Sequence, residues 1–188
     1  KIAKVLPLFK GGDLSLFGNY RPVSVLPVLS KVFEKVFCAR LLGFLKEHNI
    51  LYKYQFGFRE AQSTCMALLT LVDRIVESFE KGEYVMGVFL DFSKAFDTID
   101  HNILLQKSYR YGVRGTANNW IKSYLSDRQQ YVSYCGSVST HSNIICGVPQ
   151  GSILGPLLFL LYINDLPNVS DTLHSIIFAD DTNIFLSG

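Results

Sequence analysis

Apolar residues recur at three- and four-residue spacing through Leu29, Val32, Phe33, Val36, Leu41 and Leu45, which predicts an amphipathic helix from Val28 to about His48, ending near Asn49. A second helix is expected after Ser63 as N-cap, burying Met66, Leu69, Val72, Val76 and Phe79 and stopping at Gly82. Tyr84 to Asp91 is apolar almost throughout and reads as a buried strand. Ile103 to Leu125 divides into two helical pieces around Gly112-Val113-Arg114-Gly115. Gln130 to Tyr134 and Asn143 to Cys146 read as strands joined by a polar hairpin at Gly136. Ser152 to Asn164 predicts a helix whose early Pro156 is tolerable only near the first turn. Ser175 to Ala179 and Thr182 to Leu186 form a last pair of strands, while residues 1–27 are extended segments punctuated by glycine and proline.

Helices and strands interleave here without a regular βα alternation, so the expected class is α+β rather than a doubly wound sheet. The element order from Tyr84 onward fits a ferredoxin-like arrangement. The 188 residues are 48% hydrophobic and 18% charged, which suits one packed domain or two fused lobes and excludes a disordered segment. Both ends read as cut, at Lys1 and after Asn183 to Gly188, so a longer parent polypeptide is expected. Net charge is +2, yet residues 1–60 carry ten Lys/Arg against four Asp/Glu, and residues 61–188 carry eight against twelve. A basic first third beside an acidic remainder suits a phosphate-facing lobe joined to a metal-binding lobe, although uneven surface charge is an equally good account. The four cysteines have no C-x-x-C spacing and no neighbouring zinc pattern, so reduced, partly buried thiols are expected. The longest apolar run, Ile153 to Ile163, is too short to cross a bilayer, and no signal peptide is visible.

The carboxylates change the picture. Asp180-Asp181 sits between two apolar strands, where a tight turn would expose both acids at a sheet edge. Adjacent anions repel unless a cation compensates, and magnesium suits carboxylates combined with substrate phosphates. Alone, the pair reads more simply as a surface turn. Asp91, however, also ends an apolar strand and would reach the same edge. Three acids converging there can hold two metals for in-line phosphoryl transfer. Asp97 and Asp100 fit the start of the following helix, where negative charge favours the helix dipole.

Around these acids the sequence resembles a known family. Asp91-Phe92-Ser93-Lys94-Ala95-Phe96-Asp97 resembles motif A of reverse transcriptases, Gly147-Val148-Pro149-Gln150-Gly151-Ser152 motif B, and Phe178-Ala179-Asp180-Asp181 motif C. Asn19-Tyr20-Arg21-Pro22-Val23-Ser24 and Gln55-Phe56-Gly57-Phe58-Arg59 resemble the two upstream fingers motifs. The wording is most similar to non-LTR (LINE-type) retrotransposons, including Phe159 to Pro167 after motif B. The resemblance covers almost the whole chain in the family's order.

It implies reverse transcriptase fingers over residues 1–83 and a ferredoxin-like palm over residues 84–188. The thumb would lie beyond Gly188 and an endonuclease domain before Lys1. Asp91 and Asp180 would be the principal ligands of two Mg²⁺ ions, with Mn²⁺ as an alternative. Asp181 would complete the acid triad, and the backbone carbonyl of Phe92 the second ion's shell. Phe96 would pack beneath the incoming sugar and exclude a 2′-hydroxyl, Gln150 and Gly151 would line the nucleotide pocket, and Arg59 would grip the triphosphate. Plainer accounts stay open for these four: a core aromatic, a helix-start turn and a surface charge. Arg21 and Lys10 are weaker candidates for phosphate or template contact.

The implied activity is RNA-directed DNA polymerisation, with an RNA template, a DNA primer and dNTP as partners, no membrane, and a place in cytoplasm and nucleus. A group II intron-type or domesticated reverse transcriptase shares the chemistry. A non-catalytic nucleic-acid-binding remnant is the rival of another class, but binding RNA requires none of the acids. In one departure from the resembled family, Ser108 stands where its sequences usually carry an apolar residue; a lone buried hydroxyl would cost roughly 1–3 kcal/mol.

Overall fold

The computed structural model describes residues 1–188. In chain order its elements are β1 (Ile2–Phe9), β2 (Tyr20–Val25), α1 (Val28–Glu47), α2 (Thr64–Glu80), β3 (Val85–Asp91), α3 (His101–Arg110), α4 (Gly115–Leu125), β4 (Gln129–Tyr134), β5 (Ser137–Val138), β6 (Ser142–Asn143), α5 (Gly155–Ile163), β7 (His174–Phe178) and β8 (Asp181–Ser187). Short 3-10 turns cover Phe17–Asn19 and Leu166–Val169. This is the α+β class, with mixed sheets. No helix is long and apolar enough to cross a membrane.

The chain forms two compact units. The first comprises Lys1–Phe44 and Phe96–Tyr162. Its sheet runs β2-β1-β4-β5, with β6 also on β4; β1 is antiparallel to β2 and parallel to β4. At the centre is α5, whose residues Leu157 to Leu161 are all buried. The buried carboxylate of Glu34, on α1, accepts from Ile153 N (2.8 Å) and Leu154 N (3.2 Å) just ahead of that helix. It thus satisfies two backbone donors in the turn that leads into α5, which burial would otherwise leave unpaired.

Caps set the limits of α3. Asp100 Oδ1 accepts from Asn102 N and Ile103 N (2.8 and 2.9 Å), and Gly112, at φ +94°, follows its end. Ser108 is fully buried and its hydroxyl has no partner.

The second unit comprises Leu45–Ala95 and Ile163–Gly188. Its sheet has the order β3-β8-β7, antiparallel throughout, and its core joins Phe56, Ile176 and Phe185, with Ala67 and Leu71 of α2 packed against them. Ser63 caps α2, its Oγ accepting from Met66 N at 3.3 Å.

The structure departs from the sequence pattern in several places. The stripe Met66, Leu69, Val72, Val76 and Phe79 is exposed, not buried, because α2 turns its Ala67–Leu71 side to the core. β3 is an exposed strand rather than a buried one: it is a sheet edge paired only with β8, and Met86 and Phe89 are 66% and 69% accessible. On α1, Leu41 and Leu45 are buried whereas Leu29, Val32, Phe33 and Val36 are exposed. The hairpin at Gly136 returns as β5, and the expected strand Asn143 to Cys146 shrinks to β6. α5 starts at Gly155 rather than Ser152, whose Oγ instead accepts from Gly155 N (3.0 Å). The cysteines are free, and only Cys38 is partly buried; Cys65, Cys135 and Cys146 are exposed.

Candidate active site

An apolar strand that ends in an acid delivers that acid to the end of a sheet, and two such strands in antiparallel register deliver their acids to each other. In the second unit β3 and β8 pair so that Asp91 stands directly opposite Asp181. β7 and β8 are joined by a two-residue turn, Ala179-Asp180, with Phe178 opposite Asp181. All three predicted acids therefore belong to one end of one sheet. Asp91 and Asp181 are exposed and Asp180 is half-buried. None of them forms a salt bridge. Like charges directly opposite across a strand pair are destabilising. The three carboxylates share the edge without closing on a point: no three acid, histidine or cysteine side chains stand close enough to hold an ion. Phe92, next to Asp91, is exposed.

The turn carries an unusual backbone. Ala179 has φ +58°, a region that favours glycine, and Asp180 does not share it. That sign pattern is the one of a type II′ hairpin turn, which matches the twist of the flanking strands. A strap formed by residues 54–57 runs beside β7. Ile177 N donates to Tyr54 O (2.9 Å) and Phe56 N to Ile177 O (2.8 Å), making a short parallel bridge. The strap brings Gln55 beneath the turn. Its Oε1 accepts from Ala179 N (3.0 Å) and from Gly57 N (2.8 Å), and its Nε2 donates to Ala179 O at 3.4 Å. Gly57 approaches so closely that a β-carbon on it would stand 2.0 Å from Ala179 N.

Arg59 closes the same strap. Its Nη1 donates to Tyr52 O (2.8 Å) and Gln55 O (3.2 Å), and partial burial pulls the guanidinium below its ordinary pKa. The expected phosphate-gripping arginine is thus half-buried and braces its own loop.

The other predicted residues lie in the first unit. Phe96 is half-buried and stacks on Phe159 with ring centroids 4.7 Å apart. The motif B loop runs against the same stretch: Val148 N donates to Phe96 O (2.8 Å) and Gly147 N to Ile99 O (2.7 Å). Gly147 (φ +81°) leaves no room for a side chain, since a β-carbon would come within 2.6 Å of Asp97 O. Gly151 (φ +107°) is equally tight, 2.8 Å from Ser24 O, and Ser24 N donates to Gln150 O at 2.7 Å. The side-chain amide of Gln150 donates to both carboxylate oxygens of Asp97 (3.0 and 3.1 Å). The structure thus separates two acids that the sequence groups together. Asp100 starts the helix as expected, whereas Asp97 holds Gln150. Their 53-residue separation hides that pairing in the sequence.

Comparison with known proteins agrees at two levels. A structure of apo telomerase from Candida tropicalis, truncated from its C-terminal domain, matches 98% of this chain and 43% of that one with a TM-score of 0.63. Telomerase from Candida albicans matches with a TM-score of 0.62 over 98% of this chain and 38% of that one. Identities are 14% and 12%, so this likeness is one of fold. In sequence, the family of reverse transcriptases (RNA-dependent DNA polymerases) matches residues 10–188, and the chain belongs to that family. It is 38% identical over 87% of its length to a probable RNA-directed DNA polymerase from the transposon X-element of Drosophila melanogaster. It is 37% identical over 89% to the RNA-directed DNA polymerase from the mobile element jockey of the same fly. These are reverse transcriptases of non-LTR retrotransposons, and the chain spans 18% of the length of each.

Proposed function

We propose that this chain is the fingers-and-palm part of an RNA-directed DNA polymerase of the non-LTR retrotransposon type, acting on an RNA template, a DNA primer and dNTP. The observation that carries the reading is the register of β3 on β8, with Asp91 opposite Asp181 and Asp180 in the adjoining turn. Fingers (residues 1–83) and ferredoxin-like palm (residues 84–188) are functional divisions here, since both compact units draw on both ranges.

The donor set fits Mg²⁺: hard oxygens from carboxylates and a backbone carbonyl, without sulfur or imidazole. Magnesium keeps waters and takes substrate phosphates, so a closed protein cage is not required. Asp91 and Asp180 would be the principal ligands, with Asp181 and the carbonyl of Phe92 completing the set, and Mn²⁺ would fit the same oxygens. Two such ions, when bound, stabilise charge on the attacking and leaving oxygens of phosphoryl transfer. In that transfer the primer 3′-oxygen bonds to the α-phosphorus of the dNTP as the bond to pyrophosphate breaks. The chain's own work is to hold like charges together on a paired sheet end. Phe96 excludes a 2′-hydroxyl from the incoming sugar, supported by the Phe159 stack that fixes its ring. Gln150, its amide oriented by Asp97, and Gly151, without a side chain, serve the nucleotide. Arg59 offers the triphosphate the guanidinium nitrogens that do not brace its loop. Such chemistry on an element's own RNA at a chromosomal nick requires access to cytoplasm and nucleus.

The test is primer extension on an RNA template by the polymerase polypeptide that carries this chain. Asp180→Asn removes one metal-holding carboxylate, and a loss of several kcal/mol of transition-state stabilisation corresponds to about 100-fold or more in rate. Undiminished extension by that variant would overturn the reading in favour of a non-catalytic nucleic-acid-binding protein. Phe96→Ala should raise ribonucleotide incorporation relative to deoxynucleotide.

A further inference from the structure

We propose that Gln55 is a positioning residue for the acid turn, setting the backbone of Ala179 and thereby the placement of Asp180 and Asp181. The inference rests on the reading of these two acids as polymerase carboxylates and adds a residue to their machinery.

The geometry is specific to a carboxamide. One end of the Gln55 side chain must accept from Ala179 N and Gly57 N, while the other must donate to Ala179 O. Both polar backbone groups of one residue are thus bracketed by a single side chain. That residue bears a β-carbon and sits at φ +58°, where alanine is rarely found without outside support. Gln55 is itself 3% exposed, so its bonds are shielded from competing water. Its own backbone cannot drift, because the bonds of Tyr54 and Phe56 to Ile177 fasten the strap to the strand that leads into the turn. Gly57 permits the approach by lacking a β-carbon.

The clamp has work to do at this point in the fold. Asp91 and Asp181 face each other and Asp180 adjoins them, and none of the three is in a salt bridge. Mutual repulsion favours any turn conformation that lets the acids separate. A rigid turn keeps them poised before cations arrive, so less of the binding energy goes into reorganisation. Gln55 touches neither substrate nor cation in this scheme; it acts through Ala179.

The experiment compares wild-type polymerase polypeptide with Gln55→Leu, Asp180→Asn, Ala179→Gly and the double variant Gln55→Leu/Ala179→Gly. Circular dichroism at the assay temperature establishes folding, Mn²⁺ alone is titrated calorimetrically, and primer extension is measured against Mg²⁺ concentration. For Gln55→Leu the expected result is Mn²⁺ binding weakened and the Mg²⁺ requirement raised by about tenfold, with kcat reduced and KM for dNTP little changed. Glycine at 179 adopts positive φ without support, so the double variant should recover part of the Mn²⁺ affinity. A clamp that only stabilised the fold would move the melting temperature and leave cation affinity in the folded protein unaltered. Should Gln55→Leu fail to fold, Gln55→Asn, shorter by one methylene and still polar, carries the same readouts. Unaltered Mn²⁺ affinity and Mg²⁺ requirement in a folded Gln55 variant, with Asp180→Asn inactive, would overturn the clamp and leave the polymerase reading standing. Full extension by Asp180→Asn would instead remove the polymerase reading itself.

Discussion

Two tight loops carry the candidate chemistry, and they solve one backbone problem in opposite ways. In the motif B loop the strained positions are glycines: Gly147 and Gly151 have positive φ, and each lies against a carbonyl that leaves no space for a β-carbon. Conformation and crowding are met by the same residue. At the acid turn the two demands are divided. Ala179 takes the positive φ while keeping its β-carbon, and Gly57, on a different segment and with unexceptional φ, supplies the space. The side chain of Gln55 then provides the hydrogen bonds that hold the arrangement. Both loops lean on distant segments, the first through backbone bonds to Ser24, Phe96 and Ile99, the second through one side chain, that of Gln55. Backbone bonds survive most side-chain changes in the partner segment, whereas a side-chain clamp is lost when that one residue changes.

The sharpest way to break the contrast is Gly57→Ala. The added carbon would overlap the Ala179 backbone, which cannot give as a flexible side chain would. Overpacking of this kind should cost about 3 kcal/mol, read as a fall of on the order of 10 °C in melting temperature. Gly147→Ala is the matching change in the other loop. It combines positive φ with a clash against Asp97 O, and urea unfolding should register a loss of about 2 kcal/mol. Next is Asp97→Ala, which strips the Gln150 amide of its acceptor; about 1–2 kcal/mol should be lost in the same measurement. Ser108→Ala lies outside both loops and serves as the control. Removal of its unpaired, fully buried hydroxyl should raise stability by about 1 kcal/mol, and a decrease would show that the hydroxyl has a partner. The smallest effect is expected from Ala179→Gly. Relief of the positive φ is largely offset by the greater freedom of glycine in the unfolded chain, for a net gain of about 0.5 kcal/mol. A clear loss there would mean that the β-carbon contributes packing that outweighs the strain.

Much of the fold was legible because local signals were strong. Ser63 and Asp100 cap their helices as their spacing predicts, and the strands flanking Asp180-Asp181 follow from apolar runs on either side of an acidic pair. The same apolar runs foretold that Asp91 and Asp180-Asp181 end strands at one sheet edge. What failed was the assignment of faces. α2 carries apolar residues on more than one side, so the stripe Met66, Leu69, Val72, Val76 and Phe79 is a valid helical pattern that is nonetheless exposed. The run from Tyr84 to Asp91 has the composition of a buried strand, but β3 lies at a sheet edge. Periodicity reports which residues can share a face; it does not report which face is covered.

By itself the sequence determined the helices, most of the longer strands, the caps at Ser63 and Asp100, the family and the places of the acids that end β3 and begin β8, because these depend on residues close together in the chain or on motifs read in order. Only the tertiary structure decided that Asp97 holds Gln150 rather than opening a helix, that Arg59 braces its own strap, and that Gln55 brackets Ala179. The physical reason is directional. A hydrogen bond between distant residues exists only where the folded backbone brings donor and acceptor within about 3 Å, and no local pattern encodes that distance.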